Sequence, residues 1–419
     1  MTNDDSLPKD KGFDRSLQML KEGYTFIRNR ENKYHSPVFE TKLLGEKTYC
    51  MVGEEAAKVF YDNGKFRRQD AAPKAVEKTL FGEGGVQGLD GEDHRQRKEM
   101  FMSLMTKDSL DDIQSITTGV WKKYVNRWKD REKVTLYDES KKMMAETALT
   151  WAGIPFEEKD VDEWAKELSD LFEKAADVSI SHFLSRRSRS KAEAWIEELV
   201  DEIRKGERKV RETTPLFKVS FHKDKNGELL ELHTAAVEIL NLIRPITAVS
   251  VYITFLGLAL HDFPVAAEEV KEGGEEERKR FIQEVRRYYP FFPFVIARVD
   301  KDFTYHGASF EEGTLTLLDL YGTNHHPDSW SKPDSFQPDR FHNWFGSPFD
   351  FIPQGGGDHE KGHRCAGEWI TLRILNESLR VLTDSITYHL PEQNLKYELN
   401  DIPSLPKSGI ELEYVKKKG

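Results

Sequence analysis

The chain is poor in cysteine, with two (Cys50 and Cys365) in 419 residues, so no disulfide framework can be built from it. It has no basic surplus: the formal net charge is −11, which argues against nucleic acid as a partner. The N-terminal stretch MTNDDSLPKDKGFDR has no apolar core of the kind a secretory leader carries, and a reducing cytoplasm is the expected compartment. The longest apolar run, ITAVSVYITFLGLAL (Ile246 to Leu260), falls short of the roughly 20 residues a membrane span needs. It is expected to be a buried core helix, with no membrane anchor. Internal repeats and low-complexity linkers are also missing, which favours a single domain over 1–419.

What is present is mostly helical pattern. From about His94 to Arg287, apolar residues recur at three- and four-residue spacing within charged stretches. KAEAWIEELVDEIRKGERKVRE is one predicted helix with a solvated charged face. KTYCMVG alternates like a strand, and EEAAKVFYDNGKF follows it as a short helix. Beyond Tyr289 come short β-like runs, and HLPEQNLKYELNDIPSLPKSGIELEYV has the look of strands and turns. The fold class is mainly α with a small β-rich region.

The chemistry concentrates in IPQGGGDHEKGHRCAGEW, Ile352 to Trp369. A lone cysteine is usually a small buried hydrophobe, but that does not account for Gly355, Gly356 and Gly357, which allow unusual backbone and close approach. After Cys365 an apolar-periodic helix begins, whose positive end favours a thiolate suited to a soft metal. The same run contains His359-Glu360-Lys361-Gly362-His363, literally H-E-x-x-H. That zinc pattern works only on a helix, and QGGGD before it opposes one. A zinc hydrolase built on His359, Glu360 and His363 is the alternative of another class.

GHRCAGEW resembles the haem-binding loop of the cytochrome P450 superfamily. Three further segments are similar to that family, in order: Glu284-Val285-Arg286-Arg287 to its E-x-x-R helix, NHHPDSWSKPDSFQPDRF with Arg340 to its proline- and aromatic-rich stretch, and His94 with Lys98 to the helix that meets the haem propionates. The resemblance implies haem b buried between a central helix and the cysteine loop, with Cys365 as axial ligand to iron. It implies Glu284, Arg287 and Arg340 as a structural charge cluster, and Arg68 as a further propionate contact. Thiolate ligation in this class pushes electron density onto iron and favours O–O cleavage.

One stretch departs from the superfamily. EILNLIRPITAVSVYITF puts Arg244-Pro245 where an acid–alcohol pair is usual, and Asp358 replaces the usual phenylalanine seven residues before the cysteine. An arginine in an apolar helix is costly unless paired, and its neighbours at three- and four-residue spacing (Leu240, Asn241, Thr247, Ala248) include no acid. A salt bridge to a distant carboxylate, a turn out to solvent or the anion of a ligand would each resolve that cost. Pro245 removes a backbone donor and is expected to kink the helix.

The Arg-Pro pair, with SLMT, EVRRYYPFFPF and LLDLYGTNHHP, resembles the fatty-acid peroxygenase branch. That resemblance implies Arg244 holding a long-chain fatty-acid carboxylate above iron, hydrogen peroxide as oxidant, and no obligatory redox partner. It implies attack at the α or β carbon, with Arg244, Pro245 and Gln87 at the catalytic site and Phe81, Phe292 and Phe172 as apolar walls. Gln87 rather than histidine favours hydroxylation, with decarboxylation to terminal alkenes as a side reaction. A redox-partner-dependent monooxygenase and a non-catalytic haem or fatty-acid carrier are the competing readings. A monomer is expected.

Overall fold

The computed structural model describes residues 7–174 and 180–418, with the side chains of 180–185 outside the description. Its axis is one helix, Leu232–Asp262, of 31 residues. The segment is apolar on nearly every face, and such a helix is stable only when surrounded. By length and composition it could cross a membrane, yet nearly all of it lies inside the protein. The helices Leu136–Ala152, Val161–Glu173, Ile180–Arg204 and Glu368–Arg380 pack around it. Trp121, Trp128, Leu149, Ile196, Phe255, Ile374 and Leu379 belong to the shared core. Pro245 lies within this helix without ending it. The helix continues past the missing backbone donor because its surroundings are packed on nearly every side.

The β structure is small and lies to one side. Five strands run in the order Val38–Leu43, Glu46–Met51, Leu315–Asp319, Phe294–Val299, Phe66–Arg67. The first two form a hairpin in which Leu43 pairs with Glu46. Its two-residue turn, Leu44-Gly45, has φ of 50° and 80°, the left-handed pair that matches strand twist. Glu46–Met51 is the strand expected from KTYCMVG, and Glu54–Phe60 the short helix after it. Ile386–His389 and Glu411–Lys417 join Lys133–Thr135 in a second sheet, as the C-terminal pattern suggested.

Strand Leu315–Asp319 ends in a cap. Asp319 Oδ1 accepts from the Gly322 backbone N at 2.6 Å and starts the turn of helix Leu320–Asn324. Its Oδ2 is buried without a partner.

One predicted helix is shorter than its sequence pattern. Ile180–Arg204 ends before KGERKVRE. Gly206 takes φ 75°, and the Glu207 backbone N returns to the Glu202 carbonyl at 2.9 Å, a glycine-terminated stop that overrides the continuing charge pattern.

Candidate functional site

The three glycines let the cysteine loop lie against Tyr61. Gly355 and Gly357 have φ of 88° and 82°, and a Cβ at Gly356 would come within 2.6 Å of Ile352. The chain then folds back, so that the Cys365 backbone N donates to the Gln354 carbonyl at 3.1 Å. Cys365 stands just before helix Glu368–Arg380. Gln354 Nε2 lies 3.9 Å from Cys365 Sγ, and the Gly367 backbone N–H also reaches this sulfur.

Burial pushes the Cys365 thiol up, against the opposing pull of Lys98 and Gly367. The Gly367 N–H at the helix start favours the thiolate, and a bound metal cation would complete the ionisation against the cost of burial.

His359 to His363 form turns rather than a helix. The His359 ring lies 4.5 Å from that of Trp369, and the His363 ring 3.9 Å from that of His94. Among the described residues no cluster of histidine, cysteine and acids suits a metal ion. The zinc alternative lacks its ligand set, because the glycine run prevents the helix that would put both histidines on one face.

Helix Gly91–Met102 presents buried His94, Arg97 and Lys98. Lys98 Nζ donates to the Arg364 carbonyl. Arg68 is buried against the Phe60 ring at 4.5 Å, with its Nη1 unpaired. Burial lowers Arg68 to about 10 and His94 to about 3. Arg68 and Lys98, buried with no carboxylate on their side-chain nitrogens among the described residues, are electrostatically incomplete without an anion, and neutral His94 lies beside them.

Arg244 is buried in the central helix, its Nη1 has no partner, and no ion pair reaches it among the described residues. Burial first, then the like charge of Arg189, pulls it down to about 9. The nearest acid on its helix, Glu238, is already engaged: Arg97 Nη1 donates to it at 2.5 Å, the Val86 backbone N at 2.9 Å and Asn241 Nδ2 at 3.0 Å. Asn241 Nδ2 also donates to Gln87 Oε1 at 3.2 Å. The structure thus brings Gln87 to the helical turn that carries Arg244 and Pro245.

Phe81 ends the turn Glu77–Phe81 and is half-buried. Phe172 packs on the main helical core, and Phe292 on the sheet core beside Ile352. None of the three aromatics makes a ring contact with another described residue.

Glu284 and Arg287 are fully buried and doubly bonded, at 2.7 and 2.8 Å. Arg340 Nε reaches Glu284 at 3.1 Å, and Arg287 Nη1 holds the carbonyls of Asn324 and Pro333. A second network escaped the sequence reading. Arg286 Nη2 donates to Glu368 Oε1 at 2.5 Å and Gln354 Oε1 at 3.0 Å, and Arg364 Nε donates to Glu368 at 2.7 Å. Arg97, Glu238 and Arg286 look like ordinary surface charges in sequence. Only the apolar neighbours of Glu238 in EILNLIRP hinted at its burial.

A half-buried thiol, dry cations beside it and an unpaired arginine on the central helix fit a metal-bearing ring with anionic side arms. The family model for cytochrome P450 matches residues 279–374. Among solved structures, the chain is 47% identical to cytochrome P450EX alpha with myristic acid, with a TM-score of 0.96, covering 98% of this chain and 99% of that one. It is 39% identical to cytochrome P450SP alpha in complex with (R)-ibuprophen, with a TM-score of 0.95 and coverage of 97% and 100%. It is 35% identical to a variant of cytochrome P450 OleT in complex with arachidonic acid, with a TM-score of 0.96 and coverage of 99% of each.

Proposed function

This chain belongs to the cytochrome P450 superfamily, and we propose that it is a haem-thiolate peroxygenase that oxidises long-chain fatty acids beside the carboxyl group. The observation that carries the reading is Arg244: a buried guanidinium with no carboxylate partner among the described residues. The ligands of the three similar structures share one chemistry, a carboxyl group on an apolar body.

Cys365 would ligate haem b, with Arg68, His94 and Lys98 toward its carboxylates. When bound, the haem supplies the oxidising chemistry, drawing its two-electron oxidant from hydrogen peroxide. The protein's own residues do the rest. Arg244 holds the carboxylate by a charged, two-point pair that fixes direction as well as affinity. The held carboxylate stands where the superfamily's usual acid is missing, and can take the peroxide proton and return it as general base and acid. With its head group anchored, the chain can present only its first carbons, a proximity effect that selects the α and β positions. Gln87, oriented by Asn241, borders that space, and its amide neither accepts nor delivers a proton readily. That supports hydroxylation as the main outcome, with decarboxylation minor. Phe81 is the apolar wall nearest in sequence to Gln87; Phe292 and Phe172 are more distant candidates. Glu284, Arg287 and Arg340 hold the fold behind the cysteine loop. We read residues 1–419 as one such domain.

The test is purified holoprotein with hydrogen peroxide and a saturated fatty acid, without reductase. α- or β-hydroxy acid is the expected product. Its absence, with the haem bound, overturns the proposal. Cys365→Ala should lose the carbon-monoxide absorption band typical of thiolate ligation.

A further inference from the structure

The run Arg186 to Lys191 carries three arginines. Arg186 and Arg187 are exposed, whereas Arg189 is only 2% exposed. From helix Ile180–Arg204 it reaches inward to the turn Glu77–Phe81. There Nη1 donates to the carbonyls of Thr79 at 3.1 Å and Leu80 at 3.0 Å. Nε donates to Glu193 Oε1 at 2.6 Å, and Nη2 is buried with no partner. The fit leaves no room for a side chain at position 82. A Cβ there would fall on Arg189 Nη2 and within 2.6 Å of Val237, two turns before Arg244 on the central helix; Gly82 itself has φ of 83°. Arg189 is thus wedged between the segment leading from Phe81 to Gln87 and the helix of Arg244.

We infer that Arg189 is a positioning residue of the head-group site, clamping the turn that carries Phe81 and adding a second buried positive charge that makes Arg244 selective for an anion. The inference rests on the fatty-acid reading above. A purely structural clamp needs only the two carbonyls. The charge of Arg189 still bears on Arg244 although Glu193 pairs with its Nε, and each guanidinium keeps an unpaired nitrogen, so an anion at Arg244 relieves what Glu193 leaves uncompensated. A carboxylate on Arg244 relieves the repulsion, whereas an alcohol head group of similar size does not. Glu193 neutralises Arg189 only from its own helix, so the net field is set by the Arg189–Glu193 pair.

The experiment measures calorimetric affinity of the holoprotein for tetradecanoic acid and for tetradecanol, with KM, kcat and product position from peroxide turnover of the acid. Arg189→Gln is expected to weaken acid binding by about tenfold, roughly one modest charge term, raising KM more than it lowers kcat, with alcohol affinity unchanged. Arg189→Lys keeps the charge but loses the planar two-carbonyl grip. It should bind acid nearly as the wild type does and spread the product over more carbons. Glu193→Gln removes the counter-charge and should tighten acid binding. The inference is overturned if acid affinity is unchanged in both Arg189→Gln and Glu193→Gln, or if acid and alcohol weaken in step. Should Arg189→Gln fail to fold, Glu193→Gln decides alone. A wild-type holoprotein that does not take up the acid overturns the fatty-acid reading, and this inference with it.

Discussion

Asn241 Nδ2 donates to Gln87 Oε1 one helical turn before Arg244, so Gln87, proposed to border the oxidation site, and Arg244, proposed to anchor the substrate, are tied to the same helix. The amide oxygen of Gln87 is engaged by this bond. Histidine at position 87 would replace an amide with a ring that titrates near neutral pH. Gln87→His is expected to raise the share of terminal alkene relative to hydroxy acid, as judged by product analysis at fixed peroxide. An unchanged ratio would mean that position 87 does not set the outcome.

Arg244→Ala removes the only unpaired cation on the central helix among the described residues. Truncating one side of a buried charged pair costs about 2–5 kcal/mol of binding. Fatty-acid turnover should be lost while the haem stays bound. The check is the spectral shift on acid titration beside the absorption of the resting protein.

Glu238→Ala leaves Arg97 buried without its acceptor and frees the Val86 backbone N. Breaking a buried pair by removing one member is expected to destabilise by about 3–5 kcal/mol. Because Val86 precedes Gln87, the variant should also broaden the product distribution. Denaturant unfolding and product analysis measure the two effects separately.

Asp319 gives a pH dependence remote from the chemistry. Burial raises its carboxyl from 3.8 to about 8 despite the Gly322 amide. The unfolded chain loses this proton near its ordinary value and the folded chain only near 8, so folding stability falls as pH rises through that window and is level above it. The loss is on the order of a few kcal/mol. Asp319→Asn keeps the Oδ1 cap and should flatten the slope in urea titrations between pH 4 and 8.

The local elements could be read from sequence wherever one force acted alone. Ile246 to Leu260 is apolar on all faces and had to be buried, and KTYCMVG alternates and became a strand. Arg244 could be singled out because no acid stands within a turn of it. Pattern failed where a second force intervened. A left-handed glycine at 206 stopped a helix whose charges continued. Arg189, Arg97 and Arg286 were invisible because, Glu193 and Gln283 aside, their partners are 68 to 141 residues away. Charge runs do not show which member turns inward.

On the role proposed for Arg244, the unmatched guanidinium of the central helix makes the fatty acid a missing part of the interior as well as a reactant. A ligand that binds only the folded state stabilises it in proportion to the logarithm of its concentration. Starved of lipid, the protein is at its softest and most open to proteases; supplied with lipid, it hardens. The cell's pool of free acid would then set how long each molecule survives, along with how fast it works.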